Sequence, residues 1–323
     1  MAIRNVAVTG ASGFVGRHIV RELLSCGLGV RALVRDRAKA REVLPAGATL
    51  CYGDVNDSAA MDDLARGADA MIHLVGIIRE ASEGQTFRKM HVDATRSALR
   101  ACASAGITRY VHMSALGVSE LGRAEYQKSK FEGEKLVRES DLDWTIFRPG
   151  LIHGPGSKFI EMMQEFGSGL VAPWVFIPYL TRGVEDKRVP LGGEMEVDPM
   201  VQPVWIEDVA KAFAGALQRP ETIGEIYNLV GREVLAMPAL LEKIKAGTHG
   251  NENLHPFGVP AKAGVVAATV AGKVGLGRLL PFDAGMAIMG SLDTTAEREK
   301  VRRHLGLSTR GFSETFATYA SSI

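Results

Sequence analysis

Ile3-Arg4-Asn5-Val6-Ala7-Val8-Thr9-Gly10-Ala11-Ser12-Gly13-Phe14-Val15-Gly16 is the stretch that decides the fold. Its short apolar run reads as a buried parallel strand. The run breaks at three glycines spaced three apart and resumes as His18-Ile19-Val20-Arg21-Glu22-Leu23-Leu24, which has helical periodicity. Strand, glycine turn and helix together bring backbone amides and a helix N-terminus up to a dinucleotide pyrophosphate. In that geometry Gly10 permits the tight turn, Gly13 lets the phosphates approach, and Gly16 lets helix pack on strand. Ser12, Phe14 and Val15 complete the cofactor-binding loop. A glycine triplet alone also punctuates ordinary loops. Set between a strand and an amphipathic helix, it points to a nucleotide cofactor.

Outward from this stretch, strand-like and helix-like segments alternate. Val30–Val34, Ala48–Tyr52 and Ala70–Val75 read as strands two to four. A long helical pattern over Thr86–Ala105 leads to the strand Tyr110–Ser114, and a helix over Glu125–Glu139 leads to Trp144–Phe147. The alternation predicts a doubly wound parallel sheet with helices on both faces, an α/β fold of Rossmann type. Residues 1–150 form the expected nucleotide-binding domain, with segments at about 201–230 returning to it. Residues 151–323 form a smaller C-terminal α/β lobe whose pattern is looser and rich in Gly, Pro and Met.

The bulk properties exclude several classes. In 323 residues, 46% are hydrophobic and 23% charged, as expected of a folded soluble protein. A formal net charge of +1 gives no field to recommend nucleic acid as a partner. Cys26, Cys51 and Cys102 are far apart in apolar segments and read as reduced core residues. The first strand starts at about the third residue, and no apolar run is long enough to span a bilayer. A cytoplasmic protein is therefore expected. The eight histidines lack metal-ligand spacing, and no metal is expected.

Tyr126-Gln127-Lys128-Ser129-Lys130 places a phenol and an ammonium four residues apart on one helix face. A phenol with a pKa of roughly 10 is a poor base at neutral pH, and a neighbouring lysine favours its phenolate. Tyr126 could then exchange a proton with a substrate hydroxyl or carbonyl. Ser114 ends the preceding strand at the carboxyl edge of the sheet, where it could hold the substrate oxygen. Ser114, Tyr126 and Lys130 are the candidate catalytic residues; a solvated helix face with the same spacing is the bland alternative.

These residues resemble the extended and atypical short-chain dehydrogenase/reductase superfamily, which includes the NAD-dependent epimerases and dehydratases. The chain is most similar to the branch related to the nucleotide-binding accessory subunit of respiratory complex I. The resemblance rests on Gly10-x-x-Gly13-x-x-Gly16, Gly53-Asp54-Val55, His73-Leu74-Val75-Gly76 and Tyr110–Gly117. It continues through Tyr126-x-x-x-Lys130, Phe147-Arg148-Pro149-Gly150, Gln202-Pro203-Val204 and Glu207-Asp208-Val209-Ala210. It implies that Asp54 and Val55 meet the adenine, that Leu74, Val75 and Gly76 run beside the cofactor, and that Pro149 borders the nicotinamide. Lys130 would also hold the nicotinamide ribose. Where many relatives carry an asparagine that holds a proton-relay water, this chain has His91.

Cofactor choice turns on Val34-Arg35-Asp36-Arg37 at the end of the second strand. Arg35 suits a 2′-phosphate, whereas Asp36 could accept from a ribose 2′-hydroxyl; NADP(H) is favoured over NAD(H). The expected function is NADPH-dependent reduction of a carbonyl, or the reverse oxidation, on a small-molecule substrate. Sugar-nucleotide epimerisation or dehydration is a related alternative. The competing class is an accessory protein that holds NADP(H) without turnover. Trp174 and Phe176 suit a hydrophobic substrate pocket, a partner surface or core packing. Ala263–Leu280 reads as small-residue packing, with peripheral membrane association as the other reading.

Overall fold

Seven parallel strands form the centre of the protein, in the order β12-β6-β5-β4-β1-β2-β3 defined below. The structure is a computed structural model and describes residues 2–81, 84–185, 193–273 and 282–323. The chain begins with β1 (Asn5–Thr9), α1 (Phe14–Ser25), β2 (Gly29–Val34), α2 (Arg37–Val43), β3 (Ala48–Tyr52), α3 (Ser58–Ala65) and β4 (Ala70–His73). A π-helical turn (Arg88–Asp93) runs into α4 (Ala94–Ala105), followed by β5 (Arg109–Met113), α5 (Glu125–Arg138), β6 (Asp143–Pro149), β7 (Ile152–His153) and α6 (Lys158–Ser168). Next come β8 (Ile177–Glu185), β9 (Glu194–Val197), β10 (Met200–Val201), β11 (Val204–Trp205), α7 (Ile206–Leu217), β12 (Glu225–Leu229), β13 (Leu235–Ala236) and α8 (Met237–Gly247). The chain closes with β14 (Pro256–Pro260), α9 (Ala261–Lys273), α10 (Ala284–Gly290), α11 (Glu299–Leu305) and α12 (Phe312–Phe316).

The central strands are apolar on both faces because both are covered. On one side Val6, Val8, Ile72, Val111 and Phe147 pack with α1 and α7 through Ile19, Leu23, Val209 and Phe213. On the other, Ala7, Met71, Tyr110 and Ile146 meet Met61 and Leu64 of α3, Ala98 of α4 and Val137 of α5. A third core joins α6, α8 and α12 around Phe166, Leu240, Ile244, Phe312 and Phe316. The strand pattern fixes the sheet's sense: β1 lies between β2 and β4, β3 flanks β2, and all three pairings are parallel.

The returning strand is β12, which pairs in parallel with β6 from Glu225↔Thr145 to Leu229↔Pro149. Arg109, at the start of β5, is buried beneath this edge. Its guanidinium donates to the carbonyls of Asp143 (2.6 Å) and Ala216 (2.7 Å) and to the hydroxyls of Thr145 and Thr222. A buried cation is tolerable only when so fully bonded.

Several expectations are corrected. Cys26 is exposed just past the end of α1 and is not a core residue, whereas Cys51 and Cys102 are buried. The helical pattern over 86–105 is not one regular helix, since its first part widens into the π turn. Among the described residues β8 pairs with both β14 and β9, a small sheet absent from the sequence reading. Trp174 is 63% exposed and so is not core, while the Phe176 ring lies tilted against Phe257 with centroids 5.0 Å apart. In the segment Ala263–Leu280, Gly264 and Ala268 of α9 face inward and Val266 and Val270 outward; residues 274–280 lie outside the described residues.

Candidate active site

The strand order reverses direction between β1 and β4, with α1 leaving over one face and α4 over the other. A crevice at the carboxyl ends of such strands is where open α/β sheets bind ligands. Gly10 ends β1 with φ +72°, and a Cβ there would lie 3.2 Å from the Leu74 backbone. The amide of Gly13 donates to the Gly10 carbonyl at 3.1 Å and closes the turn. At Gly16 a Cβ would stand 2.2 Å from the Gly10 oxygen, so only glycine lets α1 start there. Gly13 is the N-cap of α1 and has no side chain to offer; the first turn carries no acidic residue. The positive end of the helix is thus left to an external anion. Ser12, Gly13, Phe14 and Val15 line this opening without being closed off by the core.

Arg35 follows β2 and its side chain is exposed, 3.8 Å from Asp54. Asp36 is otherwise engaged: its carboxylate caps α2 by accepting from the Lys39 amide at 3.1 Å. Asp54 in turn accepts from the backbone and side chain of Asn56, and Val55 is buried beside it. The guanidinium of Arg37 lies over the Tyr52 ring at 3.9 Å, so two cations flank the end of β2.

Ser114 follows β5 directly and is held by its amide to the Phe147 carbonyl (2.8 Å), while Leu116 is held to the carbonyl of Pro149. This pairing places Pro149 and Gly150 beside Ser114. Helix α5 crosses above. Lys130 is buried, donates to the Met113 carbonyl at 2.9 Å, and packs so close that a Cβ on Gly76 would meet its Nζ at 2.9 Å. Burial pulls its ammonium down to about 8, with Glu134 opposing. Burial pushes the Tyr126 phenol up to about 12. The Tyr126 ring sits edge-on to Phe87 and His91. Lys130 thus lies between the end of β5, which leads into Ser114, and the 74–76 loop, with Tyr126 one turn away on α5 and Pro149 beside the Ser114 segment.

His91 has no nitrogen to spare for a relay water. Ser129 donates to the Glu125 carbonyl, so its oxygen accepts from His91 Nδ1, and Nε2 accepts from the Ile77 amide. The ring ties the 76–77 loop to α5, and burial holds it neutral, down to about 3. His73 bonds the side chain of Thr9 at 2.8 Å. Among the described residues His112 has no partner on either nitrogen, nor have the hydroxyls of Tyr110 and Ser114. Those three side chains alternate along one face, from β5 to the position just after it, and are at most 3% exposed. An unsatisfied buried group costs about 1–3 kcal/mol, so four such atoms in a row would offset much of an ordinary net stability. Sequence reasoning missed this polar floor, although the period-two spacing of Tyr110, His112 and Ser114 was its signal.

Comparison with known proteins agrees with this geometry. Residues 10–168 match the family model described as NAD(P)H-binding. That match covers just under half of the chain and makes residues 10–168 similar to NAD(P)H-binding domains. It is 38% identical to a ceramide reductase of Caulobacter vibrioides over 47% of this chain and 47% of that protein. It is 26% identical to NADH dehydrogenase [ubiquinone] 1 alpha subcomplex subunit 9 of Dictyostelium discoideum over 75% of this chain and 63% of that one. The chain thus spans about half to under two-thirds of these relatives. An NADPH-dependent quinone oxidoreductase of Escherichia coli, solved with NADPH, superposes with a TM-score of 0.68 at 18% identity. The match covers 97% of this chain and 99% of that one, a likeness of fold. Among the described residues no helix is long and apolar enough to cross a membrane.

Proposed function

We propose that this protein is an NADP(H)-dependent oxidoreductase that reduces a carbonyl, or oxidises the matching alcohol, on a hydrophobic substrate. What supports the reading is Lys130 bonded at the end of the strand that leads into Ser114, against the Gly76 loop and one turn of α5 from Tyr126. Bound nicotinamide supplies or accepts the hydride. Ser114 donates a hydrogen bond to the reacting oxygen, and Tyr126 delivers or removes its proton. Lys130 keeps most of its positive charge at neutral pH and anchors the cofactor's ribose, while the phenol of Tyr126, held up at about 12 by burial, acts as the proton donor in the reducing direction. Arg35 beside an Asp36 already spent on a helix cap supports NADP(H) over NAD(H). The likeness to a ceramide reductase and the half-buried Phe176 against Phe257 support an apolar substrate. Residues 1–150 with β12 would bind the cofactor, and the remainder would shape the substrate side.

A second reading has its own support. Likeness to a complex I subunit over three-quarters of the chain, with a phenol pushed well above neutrality, suits an accessory protein that holds NADP(H) without turnover. Tyr126→Phe separates the two. As an enzyme, the protein loses about 10²–10⁴-fold in turnover of quinone or carbonyl substrates while NADPH affinity holds. If wild-type protein consumes no NADPH with any of them, yet NADPH raises its melting temperature, the accessory reading replaces the first.

A further inference from the structure

We propose that His112 is a positioning residue for Ser114, acting through internal water held between its ring, the Ser114 hydroxyl and the Tyr110 hydroxyl. The three side chains stand on alternate residues from β5 to the position just after it, on the face covered by α4 and α5, and among the described residues all four of their polar atoms lack partners. Buried polar atoms are satisfied in folded proteins, and clusters the protein leaves open are where ordered water sits. Several polar groups nearby are engaged elsewhere. His73 stacks on His112 at 5.5 Å but bonds Thr9, His91 bonds Ser129 and Ile77, Lys130 bonds Met113, and Glu134 bonds Arg148.

The ring's charge state follows from those surroundings. Burial, with His73, Lys130 and His91 around it, keeps His112 neutral. A neutral imidazole offers one N–H donor and one acceptor nitrogen. Water anchored on that donor can in turn donate to Ser114 Oγ. A hydroxyl that accepts one hydrogen bond is polarised to give its own hydrogen outward. Ser114 is thereby fixed as a donor toward the oxygen of a substrate. The relay position that His91 cannot serve is met instead from β5.

The catalytic half of the inference rests on the reductase reading; the hydration half does not. A crystal structure of the NADPH-bound protein, at a resolution that shows ordered water, should place water within hydrogen-bond distance of His112 and Ser114 Oγ. A dry floor overturns the proposal. His112→Phe keeps a ring of similar size without its nitrogens. If the floor is dry, removing stranded polar atoms raises the melting temperature; if it is hydrated, the temperature stays or falls. In turnover, His112→Phe should lower kcat about five- to tenfold, the scale of one hydrogen bond, with NADPH affinity unchanged. His112→Gln should restore most of the loss. In a Ser114→Ala background, His112→Phe should have no further effect. Wild-type kcat in His112→Phe, or an equal loss with and without Ser114, refutes the positioning role. Absence of any turnover counts against the reductase reading alone, because water and melting temperature still decide the floor.

Discussion

Acid should destabilise this protein well before its carboxylates titrate. His73, His91 and His153 are buried, and burial takes each from 6.5 down to about 3. At pH 7 all three are mostly neutral, folded or unfolded. Between pH 6.5 and 3 the unfolded chain protonates them and the folded chain does not, so the unfolded state binds more protons and stability falls as pH falls. Moving from pH 7 to pH 5 costs about 2 kcal/mol for each ring, or about 6 kcal/mol for the three. His112 shifts in the same direction and adds to the loss. Against a net stability of about 5–15 kcal/mol, that loss consumes a large share of the total by pH 5 and all of it at the low end of the range. Urea melts at pH 7, 6 and 5 would measure the slope, and His73→Gln should reduce it by about one ring's share. Equal stability at pH 7 and pH 5, or an unchanged slope in the variant, would refute the reasoning.

The two loop glycines should fail differently. A Cβ at Gly13 meets only the Gly10 carbonyl at 3.2 Å, so Gly13→Val should fold and lose NADPH binding in a fluorescence titration. At Gly16 the clash is 2.2 Å with backbone, so Gly16→Val should cost stability itself, seen as a lowered melting temperature without ligand. Arg35→Ala should weaken NADPH by about 1.5–3 kcal/mol and leave NADH nearly untouched. Equal losses in parallel titrations would contradict the 2′-phosphate assignment.

The strands with the clearest local patterns were legible from sequence. The strand expected at Tyr110–Ser114 lies within a residue of β5, and the Glu125 helix ends within a residue of its expected bound. Buried central strands are continuous apolar runs whose signal is local. The β14 pairing with β8 was not legible, because Pro256-Phe257-Gly258-Val259-Pro260 looks like a loop. Cys26 misled because an apolar neighbourhood at a helix end does not say which way the last turn faces. At the site, the glycines and the Tyr126–Lys130 pair were visible as spacing. The bonds of Asp36 and His91, which bear on cofactor and relay, depend on partners that only the folded chain supplies.

The bonds of Arg109 carry a consequence for how the chain must be cut or synthesised. Residues 10–168 hold the family likeness, yet they contain neither β12 nor the Ala216 and Thr222 groups that receive this guanidinium. A fragment ending there would leave the edge of β6 open and a cation stranded beneath it. On the ribosome the same state persists until Leu229 has emerged, so the cofactor-binding half must wait for a strand encoded some 60 residues after that likeness ends.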